Sequence, residues 1–286
     1  MTTPPIQWYP GHIAKARKAL QQQLQRVDAI FEVLDARIPL ASRHPDLETW
    51  TQNKPRIVIL NRCDCISPER VRAWQRWFRQ QNIETYPTNA QSGEGVRVVK
   101  NAALTCGVQV NQRRRDRGMK PRAVRAAVVG FPNVGKSALL NRLTGKRAVA
   151  SARKPGVTRE LRWVRLGQEL DLLDSPGILP PKLDDQDAAV KLAICDDIGT
   201  AAYSDERVAA ELLELLPQVE PTSAVASLRD RYQFESLDVP GSILVHQLAN
   251  RRYADDTTRA AKHVLTDYRK GILGALGLEN VPDTPV

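Results

Sequence analysis

The sequence predicts an α/β fold with a doubly wound, mostly parallel sheet, followed by an all-α C-terminal domain. Over the first 180 residues, apolar runs typical of buried strands alternate with amphipathic stretches. This alternation favours a parallel sheet with helices on both faces. Beyond Pro180 and Pro181 helical spacing dominates. Because 286 residues suffice for two cores, we predict a sheet domain at 1–180 and a helical domain at 186–286.

The predicted elements follow from periodicity and from turn residues. Predicted strands are 27–35, 56–60, 83–88, 124–129, 161–166 and 169–174. Predicted helices are 13–25, 68–82 and 96–105, then 187–198, 204–216, 222–232 and 255–276. Residues 111–125 are predicted to be a basic linker, and Pro217, Pro221 and Pro240-Gly241 are predicted to interrupt the helical region.

Charge is unevenly distributed along the chain. The net charge is +10, but residues 1–184 carry +17 and residues 185–286 carry −7. The basic part predicts a polyanionic partner, although a basic surface that serves only solubility is the alternative. The longest apolar runs are too short to span a bilayer, and the N-terminus lacks the features of a signal peptide. We therefore expect a cytoplasmic protein without a membrane span.

The most informative stretch is residues 124–137, where an apolar strand pattern enters G-F-P-N-V-G-K-S and a helical pattern follows. Gly130 and Gly135 allow successive backbone N–H groups to surround phosphate oxygens at a helix N-terminus. Lys136 is expected to reach the β- and γ-phosphates, and the Ser137 hydroxyl is expected to bind Mg²⁺. This combination predicts a nucleoside triphosphate site.

Two further motifs at predicted strand ends favour guanine as the base. Asn61 and Asp64 belong to N-R-C-D after the second strand, and a carboxylate there can accept hydrogens from guanine N1 and N2. Asn89 and Ala90 follow the next strand, where backbone N–H groups could meet the guanine oxygen. Each short motif is weak alone, and their joint placement beside a complete phosphate loop is much more specific.

Three residues are predicted to complete the phosphate and metal site. Thr158 lies in K-P-G-V-T, a loop that can close over the γ-phosphate and Mg²⁺. Asp174 ends a predicted strand that faces the metal, and Gly177 can offer its N–H to the γ-phosphate. The base motif precedes the phosphate loop, the reverse of ordinary Ras-like GTPases. The order therefore indicates a circularly permuted Ras-like P-loop GTPase domain, whose D-S-P-G exit leads directly into the C-terminal helices.

Six stretches together resemble the ribosome biogenesis GTPase A family of circularly permuted GTPases (RbgA, also called YlqF). They are W-Y-P-G-H-I-A-K-A-R (8–17), D-A-R-I-P (35–39), N-R-C-D, G-F-P-N-V-G-K-S, P-G-V-T and D-S-P-G. The resemblance spans about residues 6–180 and continues in layout through the helical region. It implies GTP hydrolysis, a role in late assembly of the large ribosomal subunit, and contact with ribosomal RNA.

The resemblance also implies the site residues. The GTP-binding set comprises Asn61, Arg62, Asp64, Asn89, Ala90, Asn133, Val134, Gly135, Lys136, Ser137, Ala138, Thr158 and Gly177. Ser137, Thr158 and Asp174 would serve Mg²⁺, with GTP or GDP as the nucleotide. Asn133 matches the asparagine that helps coordinate K⁺ in potassium-stimulated GTPases, although a residue favourable for the turn is the alternative.

Catalysis is assigned to His12, Lys136, Thr158 and Gly177. Ile178 stands where Ras-like enzymes carry the glutamine that orients water, so intrinsic hydrolysis should be slow and stimulated by the ribosome. In the family, the histidine of W-x-P-G-H is proposed to substitute, and His12 matches it. An imidazole can orient or deprotonate water at neutral pH. The alternative is that His12 only begins a helix or touches RNA.

Two departures from the family pattern bear on partners. Arg62 replaces the usual lysine; its guanidinium can stack on a base, yet arginine and lysine are not interchangeable. The C-terminal region, which binds RNA in this family, is acidic overall here. We expect a monomer without a DNA partner. Two alternatives to the assembly GTPase stay open: a nucleotide-gated RNA-binding scaffold, and a signalling GTPase with a protein partner.

Overall fold

A six-stranded sheet forms the centre of the N-terminal part. The computed structural model describes residues 6, 13–51, 54–145, 161–177, 180, 184–199 and 203–283. The strands lie in the order β3-β2-β1-β4-β6-β5, and every neighbouring pair is parallel except β5 and β6. They are β1 (Ala29–Asp35), β2 (Arg56–Asn61), β3 (Thr85–Thr88), β4 (Val124–Val129), β5 (Arg162–Leu166) and β6 (Leu170–Asp174).

Helices cover both faces of the sheet. Those of the N-terminal part are α1 (Ile13–Leu24), α2 (Leu47–Thr51), α3 (Pro68–Gln80), α4 (Val96–Asp116) and α5 (Lys136–Thr144). Alternate strand residues point to opposite faces, so two sets of apolar side chains form. One set packs with α4 and α5, and the other divides into a cluster with α1 and a cluster with the aromatic residues of α3.

The predicted order of the strands along the chain is confirmed. Strand β4, which enters the phosphate loop, lies between β1 and β6 although its residues follow those of β1 to β3. The carboxyl ends of β1, β2, β3, β4 and β6 meet at one edge of the sheet, because these strands are mutually parallel. The fold is therefore the predicted permuted α/β arrangement.

The C-terminal region is helical throughout its described residues. It contains α6 (Gln186–Ile194), α7 (Asp205–Val219), α8 (Ser223–Tyr232), α9 (Gly241–Arg252) and α10 (Thr257–Arg269). Helix α7 packs against α6, α8, α9 and α10, and buries Leu212, Leu213 and Leu216 among them. Within the described ranges, no helix combines the length and apolar character that a bilayer crossing requires.

The helical region packs closely on the sheet-bearing part. One apolar cluster runs from strand residues such as Val33 through Ile38 to Leu212 of α7 and Leu265 of α10. Near the N-terminus, the backbone N–H of Ile6 donates to Oε1 of Gln186 at 2.9 Å. The predicted division into domains 1–180 and 186–286 stays a prediction, since the two parts share this core.

Three expectations about helices were wrong. The linker at 111–125 is in part helical, because α4 continues to Asp116 and carries Arg113, Arg114 and Arg115 in its last turn. Pro217 does not interrupt α7, which continues two residues further to Val219, so the proline removes one N–H donor in the last turn of the helix. The predicted helix at 255–276 is too long, since α10 ends at Arg269. Lys270 follows in the C-cap position, and Gly271 with φ of +72° continues the turn.

Helix α9 was not predicted at all. Its buried residues Leu244, Val245, Leu248 and Ala249 have the spacing of one helical face. The sequence contains this spacing, but the neighbouring Pro240-Gly241 was interpreted as an interruption of the helical region. Those two residues instead mark the start of the helix, with Pro240 in the N-cap position.

Candidate nucleotide-binding site

The phosphate loop joins β4 to α5 at the carboxyl edge of the sheet. Two of its glycines are required by their surroundings. Gly130 has φ of +152°, and a Cβ there would lie 2.4 Å from the backbone oxygen of Val33. Gly135 has φ of +102°, and a Cβ would lie 2.1 Å from Nδ2 of Asn61. The loop therefore approaches β1 and β2 more closely than a side chain would permit.

Asn61, the last residue of β2, connects the base motifs to the phosphate loop. Its Nδ2 donates to the backbone oxygen of Val134 at 2.7 Å. Its Oδ1 accepts from Oγ1 of Thr88 at 3.2 Å and from the backbone N–H of Ala90 at 3.0 Å. Asn61 is 2% exposed, so these bonds are sheltered from water. Its role in this structure is to hold three segments of the site together.

The segment after β3 adopts a turn built on Asn89. Oδ1 of Asn89 accepts from the backbone N–H groups of Gln91 at 2.9 Å and Ser92 at 3.1 Å. Arg142 of α5 donates to the backbone oxygens of Ala90 and Gln91. The N–H of Ala90 is already bonded to Asn61, so it is not the free donor to guanine that the sequence suggested. A buried amide needs a partner, and here Asn61 supplies it.

In the N-R-C-D segment, Asp64 is exposed, whereas the Arg62 side chain contacts other residues of the site. Asp64 is exposed, which leaves its carboxylate accessible for a base. Nη2 of Arg62 donates to the backbone oxygen of Asn133 at 2.6 Å. Nη1 of the same guanidinium lies 3.2 Å from Oδ2 of Asp35. The guanidinium is therefore directed to the phosphate loop, and only the aliphatic part of Arg62 is left for stacking on a base.

Lys136 is the first residue of α5 and is buried. Its Nζ donates to the backbone oxygens of Gly130 at 3.1 Å and Phe131 at 2.6 Å. Burial lowers the pKa of Lys136 to about 8, and the carboxylates of Asp174 and Asp197 act in the opposite direction. An anionic phosphate in the loop would raise the pKa of Lys136 and favour its charged ammonium form. The site therefore suits a phosphate ligand.

Asp174, the last residue of β6, faces the loop on its other side. Burial raises its pKa to about 6, and Lys136 and Arg162 oppose this effect. Its Oδ1 is buried and has no hydrogen-bond partner among the described residues. An unpaired carboxylate oxygen suits a hard divalent cation, and with the Ser137 hydroxyl the donor set fits Mg²⁺.

Gly177 lies directly against the phosphate loop. A Cβ at this position would be 2.5 Å from the backbone of Pro132. Only glycine therefore permits the D-S-P-G segment to pack so near the place where the γ-phosphate is expected. The predicted contact of the Gly177 N–H with the γ-phosphate stays a prediction.

Asn133 makes a contact that the sequence did not predict. It has φ of +56°, and its Nδ2 donates to the backbone oxygen of Asp196 at 2.6 Å. Asp196 lies in the turn after α6, so the phosphate loop is bonded directly to the helical region. The amide oxygen of Asn133 is the atom that can ligate a cation.

Two residues of D-A-R-I-P form a buried ion pair beside this turn. Arg37 donates through Nε to Oδ1 of Asp35 at 2.9 Å and through Nη2 to Oδ2 at 2.7 Å. Nη2 also donates to the backbone oxygen of Cys195 at 3.2 Å, and the guanidinium lies 5.6 Å from the ring centroid of Tyr268. Burial raises the pKa of Asp35, but Arg37 and Arg62 lower it by more, so the carboxylate stays ionised.

In the sequence, D-A-R-I-P indicated only the family resemblance, and neither Asp35 nor Arg37 was predicted to have a role. A carboxylate at the end of an apolar strand, followed two residues later by arginine, was the available indication.

Asp197 is a further residue of the site, and no sequence pattern indicated it. It is fully buried, and both of its carboxylate oxygens lack a hydrogen-bond partner among the described residues. Burial, reinforced by Asp35, raises its pKa well above the ordinary value.

The structure brings most of the predicted site residues to one edge of the sheet. Those within the described ranges are Asn61, Arg62, Asp64, Asn89, Ala90, Asn133, Val134, Gly135, Lys136, Ser137, Ala138, Asp174 and Gly177. His12 and Thr158 lie outside the described residues, as does Ile178.

The fold and the phosphate loop define a P-loop GTPase. Residues 125–215 match the family model described as a 50S ribosome-binding GTPase. The chain is 37% identical to ribosome biogenesis GTPase A of Bacillus pumilus, with 86% of each chain covered. It is 35% identical to the protein of that name from Bacillus licheniformis, over 97% of this chain and 99% of the other. The chain belongs to the ribosome biogenesis GTPase A family.

Solved structures agree on the fold. A GNP-bound YlqF from Thermotoga maritima superposes with a TM-score of 0.66 at 24% identity, covering 94% of this chain and 100% of that one. A GDP-bound YlqF gives a TM-score of 0.65 at 23% identity, covering 92% and 98%. The family confirms the predicted GTPase activity and its nucleotides, GTP and GDP.

Proposed function

We propose that the protein is an assembly factor of the large ribosomal subunit that binds rRNA in the particle and uses GTP as a switch. The names of its relatives and the description of the family model point to the ribosome. The charge of +17 on residues 1–184 supports a contact with RNA phosphates. GTP favours docking on an immature particle, and hydrolysis permits release.

The observation that carries the switch is the bond between Asn133 and Asp196. A ligand in the phosphate loop acts on Asn133, whose side chain donates to the turn after α6 at 2.6 Å. Arg62 donates to the backbone of the same loop residue. Occupancy of the loop is thereby linked to the position of the helical region, which is the kind of element that nucleotide switches move.

The site residues take the following proposed roles. Asp64 accepts hydrogens from guanine, Lys136 binds the β- and γ-phosphates, and Gly177 donates its N–H to the γ-phosphate. Ser137, Asp174 and Thr158 hold Mg²⁺, which neutralises charge that develops on the phosphates. Asn133 contributes its amide oxygen to a K⁺ ion, and His12 orients the attacking water.

Binding to purified large subunits tests the switch. With a non-hydrolysable GTP analogue, co-sedimentation should be tighter than with GDP, since only the triphosphate contacts both Lys136 and Gly177. The difference should correspond to about 1–3 kcal/mol of coupling, or roughly 5- to 150-fold in Kd. Equal, salt-sensitive binding with GTP analogue, GDP or no nucleotide would favour the scaffold alternative.

The role of His12 is tested by His12→Ala. This variant should bind GTP normally and lose roughly 10²- to 10⁴-fold of the hydrolysis that large subunits stimulate, because the attacking water is no longer positioned. His246→Ala is the matched control, since His246 is exposed on α9 and far along the chain from the phosphate loop. Unchanged stimulated turnover in His12→Ala would remove His12 from the mechanism.

A further inference from the structure

An exposed tryptophan lies on the sheet beside two arginines, at a place that nucleotide binding does not use. Trp163 of β5 is 41% exposed, and among the described residues it is the one aromatic side chain with such a large exposed fraction. The guanidinium of Arg125 lies 5.8 Å from the centroid of an aromatic ring of Trp163. An exposed indole leaves part of its aromatic face open to a ligand.

The pairing of the strands shows which residues share this surface. Arg125 of β4 is opposite Asp171 of β6, which is opposite Arg165 of β5. Trp163, two residues before Arg165, points to the same face because side chains alternate along a strand. We name these three residues, Arg125, Trp163 and Arg165, the β5 patch.

Helix α1 covers the part of this face next to the patch. Leu20 and Leu24 of α1 belong to one apolar cluster with Ala127 and Leu173. In the sheet, Leu173 of β6 is paired with Ala127 of β4 on one side and with Trp163 of β5 on the other. The side chain of Arg165 is 76% exposed, and Asp171 is paired with it at 3.2 Å. In the register of the strands this one carboxylate lies between Arg125 and Arg165.

We propose that the β5 patch binds unpaired nucleotides of RNA, with Trp163 stacking on a base and Arg125 and Arg165 contacting phosphates. The inference rests on the proposed ribosomal function and names a surface for it. An aromatic ring next to arginines is the combination with which proteins hold single-stranded nucleic acids. Bases in an A-form duplex are not available for stacking, so unpaired RNA is the expected ligand. The basic charge of this part of the chain favours RNA over a protein strand added at the β5 edge.

Binding of a fluorescently labelled A12 oligoribonucleotide, followed by anisotropy, tests the proposal. Trp163→Ala should weaken A12 binding by about 5- to 150-fold, the range that loss of one stacked base gives. Trp163→Phe should restore most of the affinity, since phenylalanine keeps an aromatic face. Arg125→Ala should reduce the slope of log Kd against log salt by about 0.7. Binding of the A12·U12 duplex should change much less in Trp163→Ala.

Arg76→Ala is the matched control, because Arg76 is an exposed arginine on α3. Melting temperature and basal GTP hydrolysis should stay at wild-type values in all four variants, since none of these residues belongs to the nucleotide site. Equal A12 affinity in Trp163→Ala and Arg76→Ala overturns the proposal.

Large subunits separate this proposal from the proposed function. If wild-type protein binds subunits and Trp163→Ala loses subunit binding but keeps A12 binding, the patch contacts protein and the RNA proposal fails alone. If wild-type protein binds A12 through Trp163 but does not bind subunits, the patch stands and the ribosomal function fails.

Discussion

Lys136→Ala should lower GTP turnover by on the order of 10²- to 10³-fold, the effect of removing one donor that stabilises charge in a transition state. The ammonium of Lys136 is buried at the start of α5 and donates to the backbone of its own loop. A triphosphate would replace those carbonyls with stronger, anionic acceptors. Single-turnover hydrolysis, measured with enzyme in excess of nucleotide and at a concentration above Kd, separates this loss from a loss of binding.

Lys54→Ala is the matched control for Lys136→Ala. Nζ of Lys54 also donates to backbone oxygens, those of Leu24 at 2.7 Å and Val27 at 2.7 Å, but outside the nucleotide site. Removing it should lower stability and leave turnover unchanged. If both variants lost turnover equally, the loss in Lys136→Ala would reflect a damaged fold and not phosphate binding.

Arg37→Ala should destabilise the protein by about 3–5 kcal/mol, because it leaves the carboxylate of Asp35 buried without its bidentate partner. Both side chains are 1% exposed or less. The variant also loses the bond to Cys195 and the contact with Tyr268, which join the sheet to the helical region. Urea denaturation followed by circular dichroism measures the change in the free energy of unfolding.

Arg122→Ala provides the comparison for Arg37→Ala. Arg122 also makes a bidentate contact, through Nη1 and Nη2 with Asp28 at 2.8 and 3.0 Å, but the two side chains are 30% and 17% exposed. Solvent screening should limit the cost of its removal to about 1 kcal/mol. Equal costs for the two variants would contradict the central place given to the Asp35–Arg37 pair.

The sequence predicted the sheet, its phosphate loop and the permuted order because each of these depends on local chemistry. An apolar run followed by Gly130 and Gly135 determines the strand and the turn by itself. The corrections concern elements whose limits depend on tertiary contacts. Helix α4 continues to Asp116, beyond its last buried residue Gly107, and in this extension the side chain of Asn111 bonds to the backbone of Arg122.

The long-range connections of the site could not be predicted. Asn61 was assigned to guanine by its motif, yet its bonds to Val134 and Ala90 depend on the distance between β2, β3 and the phosphate loop. The bond from Asn133 to Asp196 likewise joins residues that only the folded chain brings together. Sequence patterns identify the chemical groups, whereas such long-range pairs require the three-dimensional arrangement.

GTP hydrolysis with and without purified large ribosomal subunits, first in K⁺ and then in Na⁺ buffer, tests the central proposal most directly. The proposed function predicts slow basal turnover and clear stimulation by subunits in K⁺, with the stimulation lost in Na⁺. Equal stimulation in both cations would keep the ribosomal role and remove the K⁺ site at Asn133. Absence of stimulation in either cation would contradict the proposed action on the large subunit.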